Sequence, residues 1–213
     1  YFEGNKLTGF EIDLGNEIAK RMNVIADWRP MEFDSLLTGL SQDRWDLVIA
    51  SFGVTIERAK AVDFANPHYC TGGVIVTKNP DIKTAADLNG RTVSVQTGSS
   101  YFLAIQKVPG VKVRNMSSDN ARNSLMSGKT DAWVTDKFAA LQAQAKARQN
   151  SSVTLYLGDM IFDEKVAVAV GKGNTELLNK FNATLTDIME AGTYASISNK
   201  WFNADVRCGL PRQ

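Results

Sequence analysis

DLVIASFGVTIERAKAVDFANPHY, residues 46–69, is the stretch on which the fold turns. DLVIA reads as a buried strand. The chain then turns through Gly53 and Thr55 and sets Arg58 on the first turn of a helix. A cation is out of place there, because the helix dipole already makes that end positive. Two readings of Arg58 stand. In one it is a solvated helix arginine paired with Glu57 or Asp63. In the other it meets an anion. Ligands of open α/β sheets sit beyond the carboxyl ends of strands, near helix N-termini, and SFGVT lies at such an end. First-turn N–H groups around Gly53 and Thr55 lack intrahelical partners. Gly53 lets a ligand approach the backbone closely. A guanidinium matches a carboxylate through two parallel hydrogen bonds. The stretch reads as a site for a small carboxylate or phosphate.

Outward from it, strands alternate with helices. Phe10, Leu14, Ile18 and Met22 recur every four residues, which predicts an amphipathic helix with Thr8 as its N-cap. VIADWRP predicts a short strand. Phe33, Leu36, Leu37 and Leu40 predict a helix entered through Asp34. Downstream, GGVIVTK, RTVSVQ, VKVRNM, DAWVTD and KVAVAVGKG read as strands. Helices are expected around Phe102, Leu103 and Ile105, over NARNSLMSGK and over KFAALQAQAKARQ, with a helical turn from Thr84 to Leu88. Leu177, Leu178, Phe181, Leu185 and Ile188 mark a long amphipathic helix stopped by Gly192, and Ser198 to Phe202 closes the chain with an aromatic turn. This order argues for parallel sheets covered by helices, in two α/β halves without a Gly/Ser/Pro-rich linker. Apolar extended segments at residues 71–76 and 166–170 are the candidate crossings.

The second half offers its own strand ends. Asp136 closes DAWVTD; it is either the N-cap of the next helix or an acceptor for a cationic group. The turn Gly98-Ser99-Ser100 presents N–H donors and hydroxyls, but lacks the GxxxxGK[ST] pattern of a phosphate loop. A carboxylate-binding Arg, an ammonium-binding Asp and a donor-rich turn together describe a receptor for an α-amino acid. Phe33 reads as core or as an aromatic wall against a ligand. Trp133 reads as packing, because strand alternation puts it on a different face from Asp136. Trp201 reads as part of the terminal core.

Composition excludes several classes. Lys plus Arg is 24 and Asp plus Glu 23, a formal net charge of +1, which gives no electrostatic case for nucleic acid or an anionic membrane surface. No apolar run is long enough to span a bilayer. The one histidine, His68, has no GxSxG or Cys–His arrangement around it. No GxGxxG and no metal-ligand cluster is present, so neither a cofactor nor a metal is expected. Cys70 and Cys208 form no CxxC pair. They are either two buried thiols or one disulfide of an oxidising compartment.

LTGFEIDLGNEIAKRM, RWDLVIASFGVTIERAKAVDFANPHY, AADLNGRTVSVQTGSS, GKTDAWVTDKFAAL and LLNKFNATLTDIMEAGTYASISNKWF follow one order. They resemble the polar amino-acid solute-binding proteins of ABC importers, extracellular solute-binding protein family 3, which shares its fold with ionotropic glutamate receptor ligand-binding domains. The match covers nearly the whole chain. T-x-x-R after a strand, QxGSS and D-x-x-x-x-D before a helix are together specific in this order and spacing. The resemblance implies a two-lobe, type II (Venus-flytrap) binding protein with two hinge-crossing strands. Residues 1–73 and 169–213 would form lobe one and residues 74–168 lobe two.

Carried over by position, Arg58 would clamp the α-carboxylate with the Thr55 and Gly53 N–H groups and Ser51. Asp136 would take the α-ammonium, and Ser99 and Ser100 would close on the carboxylate. Phe33 would pack on the ligand side chain, with Ala50 and Phe52 nearby, and Gln96 would contact its distal end. Family members begin with a strand and a Y-x-P-F-like segment. Here the chain begins at YFEGNKLTGF, so the first strand of lobe one is expected to be absent. Since Cys70 and the C-terminal tail both fall to lobe one near the hinge, the resemblance implies a Cys70–Cys208 disulfide. The implied protein is a monomeric, non-enzymatic, periplasmic or otherwise extracytoplasmic receptor whose signal peptide has been removed. It would deliver an L-amino acid to an ABC permease. A sensor or channel domain excised from a larger receptor, and a dehydratase-like enzyme on the same fold, are the alternatives.

Overall fold

In the computed structural model residues 1–150 and 153–209 are described. In chain order the elements are β1 (Phe2–Glu3), β2 (Lys6–Leu7), α1 (Phe10–Arg21), α2 (Leu36–Ser41), β3 (Leu47–Val48), α3 (Ile56–Ala61), β4 (Val62–Phe64) and β5 (Tyr69–Thr77). There follow β6 (Thr92–Gln96), α4 (Ser100–Ile105), β7 (Lys112–Met116), α5 (Ser118–Met126), β8 (Ala132–Asp136), α6 (Lys137–Asn150) and β9 (Tyr156–Val166). The last elements are β10 (Ala169–Gly171), α7 (Thr175–Glu190) and α8 (Thr193–Phe202). Two compact units result. Unit 1 comprises Tyr1–Met31, Ser35–Cys70 and the chain from Lys165 onward; unit 2 comprises Glu32–Asp34 and Thr71–Glu164. The chain changes unit within β5, after Cys70, and within β9, after Glu164, rather than after residues 73 and 168.

In unit 1, the four-residue spacing of Phe10, Leu14 and Ile18 buries one face of α1 against α7 and α8. Phe181, Leu185 and Ile188 supply the facing side of α7. Phe10 anchors an aromatic cluster with Tyr69, Tyr194 and Phe202. The sheet of this unit is small, with order β3-β10-β4. Both pairings are antiparallel, and Ala169 stands opposite Val48 and Phe64. Cys70 and Cys208 are disulfide-bonded with their Cα atoms 4.9 Å apart, as the resemblance implied. The Cys70 N–H donates to Val206 O at 3.2 Å and fastens the C-terminal tail beside the start of β5.

Unit 2 carries a five-stranded sheet, β7-β6-β8-β5-β9. β6 is parallel to β7 and β8, while β5 is antiparallel to β8, with Gly73 opposite Asp136. Alternation along the strands gives two cores. Ile75, Val93, Val95 and Val134 pack with Tyr101 and Ile105 of α4, and Val74, Val76 and Trp133 pack with α5 and α6. Gly72 is required by proximity: a Cβ there would lie 2.2 Å from Phe162 O.

Several elements differ from the sequence reading. The unit 2 sheet is mixed and that of unit 1 antiparallel, because β5 enters unit 2 from unit 1 and β9 leaves unit 2 for unit 1, where β10 follows between β3 and β4. Residues 24–30 form no strand; no neighbour among the described residues pairs with them, and Ile25 is 97% exposed. Gly9, not Thr8, precedes α1, at φ 137°. Phe33–Ser35 is a 3-10 turn and α2 starts only at Leu36. The expected strand KVAVAVGKG is divided: its first two residues end β9, which starts upstream at Tyr156, and Ala169–Gly171 form β10.

Candidate functional site

In unit 1 the site begins with a strained turn. Ser51, not a glycine, occupies the left-handed region, at φ 55°, where a Cβ costs roughly 1–2 kcal/mol. A carboxylate holds it. Glu11, on the first turn of α1, accepts from the Ser51 N–H at 3.0 Å and from its hydroxyl at 2.9 Å. The same carboxylate lies 2.8 Å from His68 Nε2, and His68 is 1% exposed. Tyr194 donates its hydroxyl to His68 O, so the histidine is gripped on two sides. His68 is thus a structural member of the network.

Beyond Ser51, Thr55 caps α3, its hydroxyl accepting from the Arg58 N–H at 3.2 Å. Arg58 stands on the first turn, as its sequence position implies. Its guanidinium donates to Gly53 O at 2.7 Å and lies 4.8 Å from the centroid of the buried Phe52 ring. Phe52 is therefore the floor under Arg58. Not every donor near Gly53 remains available, because the Val54 N–H goes to Lys165 O at 2.8 Å. Ala50 is half-buried beside this turn.

In unit 2, Asp136 takes the first of the two roles open to it, the N-cap of the next helix. Its Oδ1 accepts from the Phe138 and Ala139 N–H groups at 2.7 and 3.0 Å and so caps α6. Its Oδ2 accepts from Thr71 Oγ1 at 2.5 Å. Burial pushes the Asp136 carboxyl up to about 6, and the charge of Glu164 adds to the rise, against the three hydrogen bonds that lower it. Ser99 is 1% exposed and caps α4: its hydroxyl accepts from Phe102 N–H, and both its hydroxyl and its N–H donate to Gln96 O. Ser99 thus fixes the turn, and the half-buried Ser100 carries the outward hydroxyl, which donates to Glu164 Oε2 at 2.6 Å. Gln96 ends β6 and is half-buried. Phe33, half-buried, belongs to unit 2 with Asp34, whose Cβ faces Gly98.

Unit 1 thus brings Ser51, Phe52, Gly53, Thr55 and Arg58 together, and unit 2 groups Asp136, Ser100 and the Ser99 cap. Three participants escaped the sequence reading: Glu11, Thr71 and Glu164. Glu11 reads as an ordinary first-turn acid, favoured there by the helix dipole. Thr71 is concealed in an apolar strand. Glu164 did leave a signal. In DEKV, Glu164 and Val166 share the buried phase, while Asp163 and Lys165 are exposed. No group of His, Cys, Asp and Glu suited to a metal ion occurs among the described residues, and no described helix is long and apolar enough to cross a membrane.

Comparisons with known proteins give the family. The family model for bacterial extracellular solute-binding proteins, family 3, matches residues 1–204. This chain belongs to that family. Among curated family members, the L-cystine-binding protein TcyJ of Escherichia coli K12 is 35% identical over 212 residues, covering 96% of this chain and 79% of the relative. Among solved structures, an ancestral arginine-binding protein, seen bound to arginine and also to glutamine, is 40% identical, with a TM-score of 0.88 over 94% of this chain and 91% of that one. An ancestral amino acid-binding protein described as a precursor of cyclohexadienyl dehydratase is 30% identical, with a TM-score of 0.84, covering 94% of this chain and 89% of its own. The family and these neighbours are those of the two-lobe amino-acid-binding proteins.

Proposed function

We propose that this protein binds a free L-amino acid in the periplasm or otherwise outside the cytoplasm, and delivers it as a monomer to the permease of an ABC importer. The observation that carries the reading is the opposite chemistry of the two units. Arg58, planar and permanently charged, is the group for an α-carboxylate, with Ser51, Gly53 and Thr55 beside it. Asp136, ionised above about pH 6, is the group for an α-ammonium. Ser100 supplies a further hydroxyl, while Ser99 sets its turn. Phe33 and Gln96 stand for the side chain of the ligand, with Ala50 near it, and Phe52 supports the arginine. Relatives named for cystine and arginine support an amino acid as the ligand.

The reading is tested by thermal shift and calorimetry against the common L-amino acids and their deaminated analogues. A ligand at about 100 times its Kd adds roughly 2.7 kcal/mol to stability, a plain rise in melting temperature. Binding that needs both the amine and the carboxylate supports the receptor. The neighbour described as a dehydratase precursor favours one second reading, an enzyme on cyclic carboxylic acids without an amine. That reading has no use for Asp136 as an ammonium partner, and shifts confined to amine-free acids, with turnover, would favour it.

A further inference from the structure

The amino-acid reading leaves one charge in unit 2 without work. Glu164 is 9% exposed, yet its Oε1 is closed off from solvent and has no hydrogen-bond partner among the described residues. Buried polar atoms are nearly always satisfied, and a buried charge is normally paired. Its Oε2 takes only the Ser100 hydroxyl, a neutral donor. Asp136 interacts with it electrostatically and is itself an acid. Neither carboxylate forms an ion pair among the described residues.

An ionised carboxyl group offers about four acceptor positions. Asp136 has three of them filled, by Thr71, Phe138 and Ala139, so it retains room for one donor, as an α-ammonium requires. That ammonium offsets one negative charge. Glu164 brings a second negative charge and a wholly unused oxygen, on the inward phase of β9, anchored at its other oxygen by a residue of the same turn that the amino-acid reading employs. Hydroxyls such as those of Thr71 and Ser100 orient the carboxylates without neutralising them. The pair calls for two positive charges.

We propose that Glu164 is itself a ligand-binding residue, its Oε1 accepting from a cationic nitrogen other than the α-ammonium, so that unit 2 selects amino acids with a second positive group. The proposal rests on the amino-acid reading above and names its ligand class. The second cation is either a guanidinium, as in arginine, or a second ammonium, as in cystine.

The test is calorimetric titration of the unaltered protein and of Glu164→Gln with L-arginine, L-citrulline, L-cystine and L-glutamine. Citrulline keeps the shape of arginine and lacks its charge. A charge-assisted hydrogen bond predicts arginine binding about tenfold or more tighter than citrulline. In Glu164→Gln most of that preference disappears, while citrulline and glutamine change by about threefold at most. If the second ammonium is the partner, cystine takes the loss instead of arginine. An arginine-to-citrulline ratio and a cystine affinity both unchanged by Glu164→Gln overturn the proposal. So does an equal loss for all probes, which would place Glu164 on the common α-ammonium or in the fold. If Glu164→Gln fails to melt cooperatively, the unaltered protein decides: no preference for arginine over citrulline and no binding of cystine overturns the proposal. Binding of neutral L-amino acids without any preference for a second cation defeats it and leaves the receptor reading intact. No binding of any L-amino acid defeats both.

Discussion

The candidate residues of the two units are built from opposite materials. Unit 1 presents a cation, and an acid supports it: Glu11 fixes Ser51, whose turn delivers Gly53, Thr55 and Arg58. Unit 2 presents acids, and hydroxyls support them: Thr71 holds Asp136, and Ser100 holds Glu164. In unit 1 the strong donor already has a protein partner, since Arg58 donates to Gly53 O. In unit 2 an acceptor is left over. The difference gives the two proposals separate tests. On the receptor reading, a guanidinium tied to its own backbone and seated on Phe52 is a fixed clamp for a group all amino acids share. On the reading of Glu164 proposed above, the carboxylates with spare acceptors would discriminate among cations.

The contrast can be broken most severely at Arg58. Arg58→Met should weaken amino-acid binding by about a thousandfold, because a desolvated carboxylate left without its counter-charge costs roughly 3–5 kcal/mol; calorimetry measures it, and a loss under about tenfold would remove Arg58 from the clamp. Asp136→Asn comes next, at about a hundredfold, on the scale of a lost charge-assisted hydrogen bond at 1.5–3 kcal/mol. It spares the acceptor of the α6 cap, so the ligand-free melting temperature should fall little.

Titration sharpens the same comparison. Arg58 keeps its charge at every working pH, whereas Asp136 changes its charge near pH 6. Affinity should rise with pH, being about tenfold weaker at pH 5 than at pH 7, and Asp136→Asn should flatten that profile. Stability of the ligand-free protein runs the other way through this group. Its folded pKa, about 6, exceeds the ordinary aspartate value of 3.8, so between these values the native state binds more protons than the unfolded one, and the contribution of Asp136 declines as pH rises. A denaturation series at pH 4.5, 5.5 and 6.5 with Asp136→Asn as reference reads that sign. The smallest effect is expected at Glu11→Gln, a few-fold loss of affinity, since the amide keeps one hydrogen bond to Ser51 and loses another.

Much of this was legible because the sequence states local chemistry well. Arg58 three residues after Thr55, Asp136 at a strand end and the Gln96–Ser100 turn each announce a position relative to one element. What was missed depends on pairing across long separations. Glu11 reaches Ser51 and His68 across 40 and 57 residues, and Glu164 reaches Ser100 across 64. Periodicity carries no such information. The strand read into residues 24–30 failed for a related reason. Apolar, β-branched residues satisfy a strand pattern, but a strand needs a neighbour, and Val24 and Ile25 remain exposed without one among the described residues. The mixed sheet of unit 2 escaped because helix–strand alternation does not reveal that β5 arrives from unit 1 and β9 departs for it.

The disulfide has a topological meaning beyond stability. Cys70 and Cys208 lie 138 residues apart, and the whole of Thr71–Glu164 is strung between them. The bond turns that length of chain into a closed covalent ring with unit 2 on its circumference. A single protease cut anywhere on the ring opens it and releases nothing: both new ends stay attached to unit 1, and only a reducing gel reveals two pieces. In a compartment where exposed loops are regularly nicked, such a molecule can be wounded in one half and still hold the other.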